Sequence, residues 1–179
     1  MSNEFTETKM AKSSAARAMA REQSDAVETG ISAADRKKLS QDLGKVLGDT
    51  YMLLVKTHVY HWNVVGPLFL PLHELTEQHY NDLFAASDVI AERIRSLGHR
   101  APLSFTALEG MTKLDEETRD RSAEEMVAQL IADHEEMVRR IRDITADAAE
   151  LEDFVTHDTL NARLAFHEKA IWMLRAIIS

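Results

Sequence analysis

Four polar side chains between residues 73 and 92 have the types and spacing to hold a metal ion: His73, Glu77, Asp88 and Glu92. In a helix, His73 and Glu77 lie one turn apart, as do Asp88 and Glu92, so each pair points one way. At about 100° per residue all four fall on one stripe, within an arc of about 100°. Imidazole mixed with carboxylates suits a borderline ion such as ferrous iron, manganese or zinc, and open coordination positions would admit an oxidant. The plain alternative is a solvated helix face, since exposed His, Asp and Glu are common.

The two pairs are about 22 Å apart along such a helix and cannot share one ion within it. A symmetric dimer removes the difficulty. Positions 73 and 92 share a midpoint with positions 77 and 88, between residues 82 and 83. A helix meeting its own copy antiparallel about that point sets His73 against Glu92 and Glu77 against Asp88 in a single register. An isologous contact requires that reciprocity, and it creates two identical clusters. His61, at the end of the preceding helix, offers a further nitrogen.

The elements that must position these residues are helices. Ser32 with Asp35 has the form of a capping box and opens the first, whose stripe runs Leu39, Leu43, Val46, Thr50, Leu54 and on to His58 and His61. Gly66 and Pro67 break the chain, and a second helix follows at once with Leu72, Leu75, His79, Leu83, Ala86, Ile90, Ile94 and Leu97, stopping at Gly98. Residues 98–121 form a long connection in which residues 104–111 have the pattern of a short helix. Ser122 and Glu125 cap a third helix carrying Met126, Leu130, Met137, Ile141, Ile144 and Ala148. An acidic link with Asp147, Glu150, Glu152 and Asp153 then leads to a last helix from about Asp158, with Leu160, Leu164, His167, Ile171, Leu174 and Ile178. Residues 1–31 lack a durable apolar stripe and are expected to be a flexible tail ahead of a domain spanning 32–179. Four amphipathic helices with one long connection in the middle match an all-α, ferritin-like four-helix bundle; helix count alone leaves an ordinary up-down bundle open.

Composition narrows the function. The chain has 179 residues, enough for one domain, and its formal charge of −9 opposes general binding of nucleic acid while attracting cations. Without cysteine it has no disulfide, thiolate nucleophile or Cys-based metal site. The first residues lack the apolar core of a signal peptide, and no apolar run is long enough to span a membrane, so the expected compartment is the cytoplasm. A di-iron centre inside one bundle would need Glu-x-x-His on two helices, and none of the eight histidines has Glu three residues before it.

The stretch from His61 to Gly98 closely resembles the signature of the Dps family: His61-Trp62-Asn63, then His73, Glu77, Asp88 and Glu92. The resemblance covers roughly residues 33–179. Many members have Asp where this chain has Glu77, a departure that bears on the second, weaker metal position. The resemblance implies a mini-ferritin: a dodecameric shell with ferroxidase centres at subunit two-folds. His61, His73 and Glu77 would come from one subunit and Asp88 and Glu92 from its mate. Iron is the implied substrate, Fe(II) oxidised to Fe(III), with zinc or manganese as substitutes. Hydrogen peroxide is the implied oxidant, and ferric mineral would be stored inside the shell.

Other residues carry weaker expectations. Asp153 and Asp158 match the place where Dps relatives line three-fold pores with aspartates, although acids at a helix start also serve as plain caps. Trp62 and Trp172 match tryptophans near the oxidation centre in relatives, but packing at a core or interface is the preferred reading. His58, His79, His134 and His167 lie on or beside apolar stripes and are assigned no metal role. In the tail, Lys9, Lys12, Arg17 and Arg21 offer contacts to DNA phosphate, multiplied by copies on a shell but opposed by the acidic body. An architectural DNA-compacting protein, with nucleoid association, is therefore the alternative reading, and a helical assembly module without chemistry is a third.

Overall fold

The computed structural model describes residues 27–179, and residues 31–179 make up one compact unit within it. That unit holds five helices: α1 (Ala33–Asn63), α2 (Phe69–Ser96), α3 (Phe105–Glu109), α4 (Ala123–Glu150) and α5 (Phe154–Ile177). There is no strand among the described residues. The fold is the ferritin-like four-helix bundle, with α1/α2 and α4/α5 as two packed hairpins and α3 carried on the crossover between them.

Local chemistry sets the helix ends. The Ser32 side chain accepts from the Asp35 backbone N–H, while its hydroxyl donates to the Asp35 carboxylate at 2.5 Å. Asp35 thus reaches the hydroxyl rather than the cap backbone, so only half of the expected box forms. At Ser122 and Glu125 the full reciprocal box is present. Gly66, with φ of +88°, turns the chain between α1 and α2, where a side chain would be strained. The second helix starts at Phe69, slightly after the prolyl break.

The last connection differs from the sequence expectation. Asp147 and Glu150 lie inside α4, only residues 151–153 link it to α5, and α5 begins at Phe154 instead of near Asp158. The cause is Asp153, whose carboxylate accepts from the Thr156 N–H at 3.0 Å and from its hydroxyl at 2.5 Å. Glu152 adopts φ of 54° to close this tight turn without a glycine.

The predicted stripes converge on the core: Leu39, Leu43, Leu83, Ile90, Leu130 and Ile141 are all fully buried. α3 packs on α1 where Gly48 leaves room, since a Cβ there would stand 2.7 Å from the Leu108 carbonyl oxygen. Asp49, fully buried, secures the chain after α3 by accepting from the Thr112 hydroxyl and the Lys113 N–H, both at 2.8 Å, while pairing with Arg140. A second buried ion pair, Lys56 with Asp133 at 2.7 Å, joins α1 to α4. None of the helices among the described residues is long and apolar enough to cross a membrane.

Candidate metal centre

His61 ends α1 and His73 sits in the opening turns of α2, so the short turn around Gly66 brings them face to face. Their rings stack with centroids 3.8 Å apart and planes 16° from parallel. Each Nδ1 lies 2.9 Å from the other residue's backbone carbonyl oxygen. A carbonyl only accepts, so each Nδ1 carries the proton and donates, and each Nε2 keeps its lone pair. The His61 carbonyl is one of those left without a helical partner at the end of α1, and the His73 ring satisfies it. This is the arrangement that fixes ring orientation and tautomer in a metal-ligating histidine.

The surroundings hold the pair still. Phe69 stacks on His73 at 5.0 Å, and Tyr80 meets the His61 ring edge-on at 5.2 Å. His61 is buried and His73 half-buried, whereas Glu77, one turn on, is exposed. The Tyr80 hydroxyl reaches Glu77 at 3.5 Å. Sequence reasoning missed Tyr80, although its place three residues after Glu77 puts both on one helix face.

Asp88 and Glu92 are also exposed, but they lie toward the other end of α2, about 22 Å and about 28 Å from His73 along the axis. One chain therefore brings together His61 and His73, with Glu77 one turn further along α2, and leaves Asp88 and Glu92 apart. Among the described residues no group of three or more His, Asp or Glu side chains is placed to hold an ion within the chain.

Asp153 and Asp158 part company. Asp153 is 2% exposed and receives Arg93 on both oxygens, at 2.7 and 2.8 Å. Burial pushes its carboxyl up, but Arg93 and the Thr156 hydrogen bonds outweigh that and hold it below the usual carboxylate range. Its capping role is thus plain, while the Asp158 side chain is free to face solvent.

Trp62 and Trp172 are about two-thirds exposed, so neither packs in the core of this chain; Trp62 stacks on His58 at 5.0 Å. His79, His134 and His167 are buried together between α2, α4 and α5. His134 and His167 share a hydrogen bond between their Nδ1 atoms at 2.8 Å. Burial pushes His79 down to about 4. Lys9, Lys12, Arg17 and Arg21 lie outside the described residues.

Comparison with known proteins agrees with the fold. The family model described as the ferritin-like domain matches residues 40–179. A low temperature-induced protein of Nostoc sp. is 40% identical over 154 residues, covering 85% of this chain and 86% of its own. The DNA protection during starvation protein of Brevibacillus brevis is 35% identical over 76% of this chain and 91% of its own. The crystal structure of a Dps protein from Vibrio cholerae O1 superposes with a TM-score of 0.82 at 28% identity, covering 88% of this chain and 99% of that one. That protein is described as a member of a broad superfamily of ferritin-like diiron-carboxylate proteins. With its bundle, its paired histidines and these relatives, the chain belongs to the Dps proteins of the ferritin-like family.

Proposed function

We propose that this protein is a ferroxidase and iron store, oxidising Fe(II) at sites shared between two-fold related subunits and holding ferric mineral in a dodecameric shell. The observation that carries the reading is the His61–His73 lock, which leaves each Nε2 with its lone pair while Asp88 and Glu92 are out of reach within the chain. The acids stand at the far end of the same helix, and an antiparallel copy of α2 centred between residues 82 and 83 brings them over. Phe84 and Val89, apolar and exposed on α2, give such a contact something to bury.

In this reading His61, His73 and Glu77 of one subunit and Asp88 and Glu92 of its mate bind iron as substrate. Zinc and manganese compete for the same mixed donors. Two Fe(II) each give one electron to hydrogen peroxide, its O–O bond breaks, and two protons complete two waters. Pairing the electrons avoids release of hydroxyl radical. Asp158, exposed near the start of α5, is the pore candidate, and Asp153 acts behind it by fixing the helix start through Arg93. Residues 1–31 serve as a tail to the bundle of residues 32–179, and its four basic residues give weak, salt-sensitive contact with DNA. Protection of DNA, the role named for the Brevibacillus relative, then comes mainly from removing iron and peroxide together.

Complementation tests the shared site. One variant lacks His61 and His73, and another lacks Asp88 and Glu92; each alone has every site broken. A mixed dimer contains one site with histidines from one chain and acids from the other, and one doubly defective site. Co-assembled protein is expected to regain ferrous oxidation that neither parent shows. Mixed dimers as inactive as their parents would refute the shared site.

A further inference from the structure

The chain has 30 acidic residues against 21 basic ones, yet one surface cleft is lined by cations with no carboxylate. It lies between the opening turns of α1, the end of α2 and the start of the crossover, with a volume of about 220 Å³. Lys37, His99 and Arg100 line it with the Gln41 amide and the Ser40 hydroxyl, over an apolar floor that includes Met111. Neighbouring lysines of α1 are paired, Lys38 with Asp147 and Lys45 with Asp42. Lys37 and Arg100 have no ion pair among the described residues. Arg36 stands alongside, its Nη1 donating to the Ile31 carbonyl and its Nε buried without a partner.

The second observation is Ser40. It is 6% exposed, and its Oγ has no hydrogen-bond partner. A buried hydroxyl left unpaired is unfavourable. His99 reports the same field: burial lowers its pKa, and Arg36 and Lys37 lower it further.

We propose that this cleft binds a small oxyanion of the phosphate class. Every polar group lining it can donate, a tetrahedral oxyanion accepts from all directions, and its charge relieves repulsion among Arg36, Lys37 and Arg100. Free phosphate and a nucleic-acid phosphodiester share that chemistry. The depth of Ser40 favours the free ion, because a duplex holds its phosphates away from a buried hydroxyl. The site shares no residue with the His61–His73 pair and stands apart from the ferroxidase reading.

Calorimetric titration of the full-length assembled protein with inorganic phosphate tests it, with chloride as the control anion. Phosphate is expected to bind, and the double variant Lys37→Ala/Arg100→Ala to bind at least about tenfold more weakly. Ser40→Ala should also weaken binding while leaving the unliganded fold as stable as before, since it removes a hydroxyl that bonds to nothing. A merely structural Ser40 would not produce that split. No saturable phosphate binding, or equal affinity in wild type and both variants, overturns the proposal. A short DNA duplex forms the second arm: retention unchanged by Lys37→Ala/Arg100→Ala supports the free-ion site. Loss of duplex binding with phosphate affinity intact overturns it.

Discussion

Mild acid is expected to destabilise this bundle through two histidines sealed inside it. His134 on α4 and His167 on α5 are fully buried, and one ring donates to the other across 2.8 Å. Burial first holds both well below the ordinary histidine range; His79 and Arg163 lower His134 further, and His134, Arg163 and His79 do the same for His167. In the unfolded chain both take up protons near pH 6.5. The folded values are depressed, so this contribution to stability is complete above about pH 6.5 and is lost as the pH falls toward the folded values. A proton bound only by the unfolded chain costs about 1.4 kcal/mol per pH unit, so the pair gives a slope approaching about 2.7 kcal/mol per unit below about pH 6. Against a total stability of about 5–15 kcal/mol, one or two pH units matter. The assay is guanidinium unfolding at fixed protomer concentration between about pH 7.5 and about pH 4.5. His134→Leu/His167→Leu replaces both partners with apolar groups and should flatten the slope by nearly that amount. If this double variant keeps the wild-type slope, the buried pair is not its source.

Four further outcomes follow from the same geometry. His61→Ala or His73→Ala should slow ferrous oxidation strongly while size-exclusion shows assembly intact; oxidation at the wild-type rate would rule out the histidine pair. Lys56→Met strands Asp133 without its cation at a nearly dry site, so it should cost about 3–5 kcal/mol in denaturant unfolding, most of it recovered by adding Asp133→Leu. Gly48→Ala should cost about 1–3 kcal/mol and expose residues 104–113 to hydrogen exchange, because its Cβ meets the Leu108 carbonyl; unchanged exchange there would contradict the packing. DNA retardation should be confined to low salt and abolished by deleting residues 1–21, whereas tight binding by the truncated protein would place the contact elsewhere.

Much was legible in the sequence because it is written in local periods. Threes and fours in the apolar residues gave the four helices, and a break at Gly66–Pro67 gave the first hairpin. The one-turn spacing of His73 with Glu77 and of Asp88 with Glu92 marked a single stripe whose two halves cannot meet within one helix. Other features depend on contacts between residues distant in the chain, which no period encodes. Only the folded chain decided that His61 and His73 each donate to the other's carbonyl and so keep a lone pair on Nε2. Asp153 shows the same division: its acid looked like part of a link, but Arg93, sixty residues earlier, and Thr156 made it the cap that starts α5 at Phe154. Lys56 and Asp133 lie 77 residues apart with no local sign of partnership, and the packing of α1 on α4 buries them together. Burial is a property of the assembled surface, and a charge's neighbours are set by which helices touch.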